Sequence, residues 1–210
     1  MPTQLNGRTA NMDEICKIAD DNGLLIIEDS AQALGSKFNG KNAGTFGVGG
    51  CISFYPAKVL GCLGDGGIIL CNDENIYNSL MMIRDHGRDP LSGDVLLWGR
   101  NSRLDNLQAA FLDLQFKHYE DVVNRRREIA FLYQEELINL SSIVLPPSVK
   151  NKDKHYDIYQ NYEIEADDRD NLKTIWAKLK ELSINLHLNN ISSKKSDCHW
   201  CTFNFDNPPI

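Results

Sequence analysis

The sequence predicts an α/β fold in which a mostly parallel sheet is flanked by helices. Short apolar runs without polar alternation, such as residues 24–27, are typical of strands that are buried on both faces of such a sheet. Segments with a helical spacing of apolar residues come between these runs, and that alternation is typical of α/β domains. With 210 residues, of which 42% are hydrophobic, the chain can bury one sizeable core, or one core and a piece of another.

Local signals predict the elements of the first part of the chain. Asn11 and Glu14 are spaced as a capping box, which predicts the start of a helix that ends at Gly23. The dipeptide Asn39-Gly40 predicts a hairpin turn. Three apolar runs predict strands at residues 24–28, 50–54 and 67–71.

The later part of the chain is predicted to be helical before it returns to a strand. Asp73 is placed to cap a helix that ends before Gly87. A long connection follows over residues 85–103, and long connections inside compact domains are often functional. Arg125-Arg126-Arg127 is expected to be a solvated helix face. The remaining elements are expected as helices at residues 105–116 and 118–139, a strand at 158–164, and a helix capped by Asp168 that carries Leu172, Ile175, Trp176, Leu179 and Leu182.

Asp29 is the first candidate functional residue, because it comes where the first predicted strand ends. Open α/β sheets bind ligands at the carboxyl ends of their strands. A carboxylate there could face the pyridine nitrogen of pyridoxal 5'-phosphate (PLP) and keep it protonated, which makes the ring a better electron sink. An acid after a strand is equally typical of a helix N-cap or a metal ligand.

Lys58 narrows these alternatives. It follows the strand predicted at residues 50–54, on a loop that Pro56 prevents from continuing as a regular ladder. A lysine amine forms a Schiff base with an aldehyde when burial or a cationic neighbour lowers its pKa, although most lysines are solvated surface charges. Ser53 offers a hydroxyl to a phosphate, and the glycines of residues 61–67 let the backbone approach closely. Together these residues predict a PLP site.

Several linked strings resemble one known family. They are IIEDSAQALGSKFNGKNAGTFG, SFYPAKVLGCLGDGG, IRDHG and NSRLDNLQAAFL. They are similar to the sugar aminotransferases of the DegT/DnrJ/StrS type, which have the fold of the aspartate aminotransferase superfamily, fold type I. The resemblance covers residues 1–172, and it implies a fragment that lacks the family's N-terminal part.

The resemblance also implies a domain organisation. Residues 1–116 would be part of the PLP-binding large domain, with its mostly parallel sheet. Residues 117–172 would be a long helix and the start of a smaller α+β C-terminal domain. Residues 173–210 match the family pattern poorly.

The same resemblance implies roles for individual residues. Lys58 would carry the Schiff base with PLP and shuttle the proton, and Asp29 would pair with the pyridine nitrogen. Gln32 would lie beside the cofactor ring, and Ser53 would bind the phosphate. Asn101 would reach the phosphate of the neighbouring subunit's cofactor, which implies a homodimer with shared active sites.

The reaction implied is the PLP-dependent transamination of a keto-sugar nucleotide, with glutamate as the expected amino donor. Arg103 is a candidate for contacting the anionic substrate. Two alternatives stay open within the family: a sugar dehydratase, whose members carry histidine in place of Lys58, and a cofactor-binding or regulatory fragment without turnover. A flavodoxin-like binding module would explain the strands and glycine-rich turns, but not the joint presence of the acid, amide, hydroxyl and lysine.

Composition excludes other classes of protein. A net charge of -7 gives no support for a nucleic-acid surface. No apolar run has the length of a membrane span and no signal peptide is visible, so a cytoplasmic protein is expected.

Four cysteines, Cys16, Cys51, Cys62 and Cys71, are expected to be small core residues. The segment Cys198-His199-Trp200-Cys201 lacks a second pair of ligands with matching spacing, so no metal site is expected.

Overall fold

Helices alternate with short strands through the computed structural model, which describes residues 1–150 and 154–174 and the backbone of one further strand at 200–204. A 3-10 turn at Leu5–Gly7 opens the chain. The α-helices are α1 (Met12–Asp21), α2 (Glu74–Ile83), α3 (Asn106–Phe116) and α4 (Tyr119–Leu137). The strands are β1 (Ile27–Asp29), β2 (Lys37–Phe38), β3 (Lys41–Asn42), β4 (Gly49–Ser53), β5 (Gly67–Leu70), β6 (Ile143–Val144), β7 (His155–Tyr156), β8 (Asn161–Ala166) and β9 (Trp200–Asn204).

The sheet that carries the candidate site has the order β1-β4-β5. Strands β1 and β4 are parallel, with Asp29 beside Cys51, whereas β4 and β5 are antiparallel, with Ser53 beside Gly67. The chain reverses between β4 and β5, since the loop at residues 54–66 connects them without a helical crossover. Asp29 and Ser53 therefore end two neighbouring parallel strands and lie at the same edge of the sheet.

The described part of the fold has two further three-stranded sheets. The hairpin predicted at Asn39-Gly40 is confirmed: both residues have positive φ, 49° and 77°, as a two-residue turn between β2 and β3 requires. Strand β2 also pairs with β7, so a segment from the C-terminal part of the chain joins this hairpin. The third sheet has the order β6-β8-β9.

Two clusters of buried apolar residues lie where the α3 and α4 helices meet the loop after β4. Val59 packs with Val123 of α4 and with Ile158, and partly buried aromatic residues surround this cluster. Leu60 and Cys62 pack with a residue of α3 in a second cluster. The loop that carries Lys58 is therefore anchored, on the C-terminal side of the lysine, by buried apolar side chains.

The predicted helices agree with the structure in position, and their caps differ in detail. Asp73 caps α2 as predicted, since its carboxylate accepts hydrogen bonds from the amides of Asn75 and Ile76 at 2.8 and 2.9 Å. Asn11 precedes α1, but its side chain makes no capping hydrogen bond, so the capping box is wrong. Asp168 accepts from the amide of Asn171 at 2.9 Å at the start of the last predicted helix. Its residues Ile175, Trp176, Leu179 and Leu182 lie outside the described residues.

Three burial expectations are corrected. The strand predicted at 24–28 begins only at Ile27, and it is not buried on both faces: Leu25 is 79% exposed and Ile27 48%. Among the four cysteines expected in the core, Cys62 is buried, whereas Cys51 is exposed and the other two are intermediate. The side chains of the segment at residues 198–201 lie outside the described part of the chain.

The arginine triplet of α4 is the third correction. Arg125 is exposed and pairs with Glu128 at 3.0 Å, as a solvated face predicts. Arg126, however, is only 5% exposed, because the inner face of α4 packs against the segment at residues 157–160. Its guanidinium donates to the carbonyl oxygens of Tyr159 and Gln160 at 3.2 and 3.3 Å. Arg127 donates to the carbonyl of Asp157.

Candidate active site

Lys58 lies on a loop that is closed by backbone hydrogen bonds. The amide of Phe54 donates to the carbonyl of Gly66 at 2.8 Å, and the amide of Cys62 donates to the carbonyl of Phe54 at 2.8 Å. Inside the loop, the amide of Lys58 donates to the carbonyl of Tyr55 at 2.9 Å. Position 61 must be glycine, because a Cβ atom there would lie 2.6 Å from the carbonyl oxygen of Pro56. The backbone at Lys58 is thus held in a tight, closed turn.

The side chain of Lys58 is half-buried and lines a small cavity together with Gln32 and Ser53. Burial lowers the pKa of the Lys58 amine from its ordinary value, and the negative charge of Asp29 acts in the opposite direction. A lowered pKa increases the fraction of neutral amine, which is the nucleophilic form. The role of Lys58 as the lysine that binds PLP stays a prediction.

Asp29 is held at the carboxyl end of β1 by contacts on both sides. Its own carbonyl accepts from the amide of Gln4 at 2.8 Å, and the amide of Ser30 donates to the carbonyl of Cys51 at 2.9 Å. One carboxylate oxygen accepts from the amide of Ala31 at 3.1 Å. These bonds orient the carboxylate at the strand end, close enough for its charge to act on the lysine.

The neighbouring acid, Glu28, is a residue whose importance the sequence analysis missed. It is fully buried, and its carboxylate accepts three hydrogen bonds: from the side-chain amide of Gln4 at 2.8 Å, from the backbone amide of Gly44 at 2.9 Å and from that of Phe46 at 2.6 Å. An ionised group in the interior needs such partners. The sequence held one indication of this role, namely an acid at the end of an apolar run. Because successive side chains of a strand point to opposite faces, Glu28 lies on the face opposite Asp29.

Gln32 and Ser53 line the same cavity as Lys58, while their roles at the cofactor ring and the phosphate stay predictions. The side-chain oxygen of Gln32 accepts from the amide of Asn6 at 2.8 Å, which links the cavity to the 3-10 turn at the start of the chain. The hydroxyl of Ser53 accepts from the amide of Tyr55 at 3.2 Å. Three of the predicted site residues therefore line one cavity, and the fourth, Asp29, reaches the lysine through its charge.

Asn101 and Arg103 lie elsewhere. Both are exposed on the connection between α2 and α3, and neither lines the cavity of Lys58. Arg103 donates to the side-chain oxygen of Asn101 at 3.3 Å and pairs with Asp85 at 3.0 Å. Arg103 instead borders an open groove between β5 and α2 that Arg84 and Arg100 also line. Within one chain, these two residues do not complete the site.

Comparison with known proteins decides the family. The model of the DegT/DnrJ/EryC1/StrS aminotransferase family matches residues 1–192. The chain belongs to this family. The α/β class predicted from sequence is confirmed, and PLP is the cofactor that the family implies.

Several relatives of known name are similar to this family member. A pleiotropic regulatory protein of Geobacillus stearothermophilus is 40% identical over 88% of this chain and 48% of its own length. A UDP-N-acetyl-3-dehydro-alpha-D-glucosamine 3-aminotransferase of Acidithiobacillus ferrooxidans is 38% identical over 83% of this chain and 46% of its own length. The chain thus spans about half the length of the curated relatives it matches.

Solved structures show the same relationship. An aminotransferase of the family from Brucella abortus superposes with a TM-score of 0.79 at 36% identity, covering 90% of this chain and 49% of that one. DesV of S. venezuelae superposes with a TM-score of 0.77 at 34% identity, covering 84% and 47%. An E. coli GDP-4-keto-6-deoxy-D-mannose-3-dehydratase, solved with hydrated PLP, shares the fold at a TM-score of 0.75 and 23% identity.

The residues of this cavity, together with Asp29 beside it, carry groups that fit the cofactor that the family implies. The half-buried amine suits the aldehyde of PLP, and the carboxylate suits the pyridine nitrogen. The hydroxyl suits the phosphate, and the side-chain amide suits the ring. Among residues 1–150 and 154–174, no three histidine, cysteine or acidic side chains are grouped to hold a metal ion. No helix in the same described ranges has both the length and the apolar character needed to cross a membrane.

Proposed function

We propose that this chain serves in the PLP-dependent transamination of a keto-sugar nucleotide, with an amino acid such as glutamate as the donor. One observation carries the proposal. The amine of Lys58, whose pKa burial lowers, lies in one cavity with Gln32 and Ser53 and within electrostatic reach of Asp29. The names of the relatives support the substrate class, since one of them aminates a UDP-linked sugar.

Each residue has a defined task in this proposal. When bound, PLP supplies an aldehyde and an electron-withdrawing ring that stabilises negative charge on the amino acid's α-carbon. Lys58 would hold the aldehyde end of PLP and would move the proton of the donor's α-carbon. Asp29 would keep the pyridine nitrogen protonated. Gln32 would hold the ring, and Ser53 would donate to the phosphate.

The proposal extends to the assembly. Asn101 lies outside the cavity of its own chain, on an exposed connection, and we assign it to the cofactor phosphate of a second copy. The active unit is then a homodimer with shared active sites, in which Arg103 contacts the anionic nucleotide.

The four described cysteines are free, as in proteins of a reducing compartment, and we assign the reaction to the cytoplasm.

The domain assignment belongs to the same proposal. Residues 1–116 form part of the PLP-binding large domain, and residues 117–172 form the long helix and the start of the smaller C-terminal domain. Strand pairing between β2 and β7 joins the two parts.

The test is to trap the covalent bond to PLP. The chain is incubated with PLP, its absorbance is recorded beyond the range of the aromatic side chains, and borohydride is added before peptide mass spectrometry. We expect the reduced pyridoxyl group on Lys58 and its loss in Lys58→Met, while Lys117→Met, which changes an exposed lysine, keeps it. A pyridoxyl group spread over many surface lysines would contradict the proposal.

A second measurement addresses the reaction itself. Glutamate and a panel of keto-sugar nucleotides are added to the PLP-treated chain, and 2-oxoglutarate and amino-sugar nucleotides are quantified. Transamination requires both products in equal amounts. Loss of a sugar hydroxyl without consumption of glutamate would instead identify a dehydratase, a reaction found among proteins of this fold.

A regulatory role is the second candidate, and one observation favours it. The relative with 40% identity bears the name of a pleiotropic regulatory protein. A cofactor-binding protein without turnover would show the pyridoxyl group on Lys58 in the trapping experiment, but no 2-oxoglutarate with any sugar of the panel.

A further inference from the structure

We propose that Gln160 is a positioning residue for Lys58: its side-chain amide bridges the residues on either side of the lysine and fixes the backbone from which the amine projects. The side-chain oxygen accepts from the amide of Val59 at 2.9 Å. The side-chain nitrogen donates to the carbonyl of Ala57 at 2.9 Å. The importance of this position rests on the proposed function of Lys58.

The bridge is buried and connects distant parts of the chain. Gln160 is 7% exposed and borders the cavity of Lys58. It comes from the segment between β7 and β8, about one hundred residues after the loop that it holds. In a dry environment, a hydrogen bond is stronger and an unpaired polar group is more costly, so the two bonds restrict the turn more than exposed ones would.

The segment that presents Gln160 is itself held rigidly. Tyr159 has a φ of 51°, a backbone conformation that residues other than glycine rarely adopt. Two features hold this conformation. The guanidinium of Arg126 donates to the carbonyls of Tyr159 and Gln160, and Gly7 lies so close that a Cβ atom there would be 2.6 Å from the amide nitrogen of Gln160. A strained backbone that is over-determined in this way is typical of functional positions.

The chain offers a matched control in the same loop region. Gln108 of α3 makes the same pair of bonds to a different residue: its side-chain oxygen accepts from the amide of Leu63 at 2.7 Å, and its side-chain nitrogen donates to the carbonyl of Leu63 at 3.1 Å. The turn that it holds lies beyond Lys58. A glutamine-to-methionine change at either position removes two hydrogen bonds and keeps the length of the side chain.

The experiment compares Gln160→Met with Gln108→Met by two readouts. Hydrogen exchange, followed by mass spectrometry of peptides from the loop, reports the backbone without any cofactor. Reductive methylation by formaldehyde, mapped to Lys58, reports the placement and reactivity of the amine. For Gln160→Met we expect about tenfold faster exchange at residues 57–59, as the loss of one or two hydrogen bonds predicts, and a changed methylation rate and pH midpoint at Lys58. For Gln108→Met, exchange rises near Leu63 and Lys58 methylates at the wild-type rate.

A conservative variant covers the case in which Gln160→Met does not fold. Gln160→Glu keeps an acceptor for Val59 and loses the donor to Ala57, and protonation of the new carboxyl supplies a donor again. We expect loop protection that is weak at neutral pH and recovers as the pH falls. A general loss of packing would show no such recovery.

Two outcomes would overturn the proposal. One is unchanged exchange at residues 57–59 in every Gln160 variant; the other is an equal effect of Gln108→Met on Lys58. Failure of the proposed function looks different. The wild-type chain would then acquire no pyridoxyl group on Lys58, while the exchange and methylation differences between the variants would still appear.

Discussion

Burial lowers the pKa of the Lys58 amine, and the carboxylate of Asp29 offsets part of that effect through its negative charge. Asp29 ends strand β1, and Lys58 lies on the loop that follows the neighbouring parallel strand, β4. In the free protein, the acid thus stabilises the protonated lysine. In the complex proposed above, the same carboxylate would have a second cation, the pyridinium ring, to pair with.

The first prediction follows from this relationship. Asp29→Asn removes the charge that raises the pKa of Lys58, so the pKa of the amine should fall further and the neutral form should appear at lower pH. The pH dependence of reductive methylation at Lys58 measures the pKa of this amine. Asp65→Asn, an exposed change on the same loop, is the control. A midpoint that moves upward in Asp29→Asn would contradict the assignment.

The second prediction concerns stability and pH. Because the pKa of Lys58 is lower in the folded than in the unfolded protein, the unfolded state binds more protons between the folded pKa and 10.5, and stability rises with pH across that window. At every pH well below 10.5, the burial that lowers the pKa of Lys58 is a cost to stability. Lys58→Met should therefore raise the free energy of unfolding at neutral pH, and this gain should shrink as the pH approaches 10.5.

Urea unfolding at a series of pH values measures that difference. Lys117→Met, which changes an exposed lysine, should give no comparable gain at neutral pH. If the gain of Lys58→Met grew with pH, the direction of the pKa shift would be wrong.

The third prediction uses the arginine triplet of α4. Arg126→Met leaves the carbonyls of Tyr159 and Gln160 without their donor and should lower the free energy of unfolding by about 2–3 kcal/mol. Arg125→Met removes an exposed pair with Glu128 and should change it by less than about 0.5 kcal/mol. Denaturant unfolding of the two variants compares neighbouring residues of the same type. Equal effects would show that the burial of Arg126 is energetically unimportant.

The fourth prediction concerns the buried acid beside Asp29. Glu28→Gln replaces one acceptor oxygen by an amino group that faces a backbone or side-chain donor, so it should lower the free energy of unfolding by about 2 kcal/mol. It should also loosen residues 44–46 in hydrogen exchange. Glu14→Gln, on the exposed face of α1, is the matched control. Wild-type stability of Glu28→Gln would mean that the three hydrogen bonds do not depend on the charge.

The elements that the sequence predicted well are those with local causes. Asn39-Gly40 forms the expected turn because only residues that tolerate positive φ fit it, and Asp73 caps α2 because the N-cap geometry depends on the next three residues alone. Lys58, Ser53 and Gln32 come together because the carboxyl ends of adjacent strands meet at one edge of a sheet.

The errors have distant causes. The run at residues 24–27 has the composition of a buried strand, but burial depends on what packs against it, and the described residues leave much of it exposed. Arg126 looked like its neighbours in the triplet, and only the approach of the segment at 157–160 makes it an interior residue.

By itself, the sequence determined the class of fold and the family, since these depend on residue types at short spacings along the chain. The set of groups that would hold PLP stays a prediction. Only the tertiary structure decided how those groups are held. The amide bridge from Gln160 to the turn at Lys58, the buried carboxylate of Glu28 and the guanidinium of Arg126 each join residues far apart in sequence. Burial and hydrogen-bond geometry arise only when those distant segments pack together, so no local pattern records them.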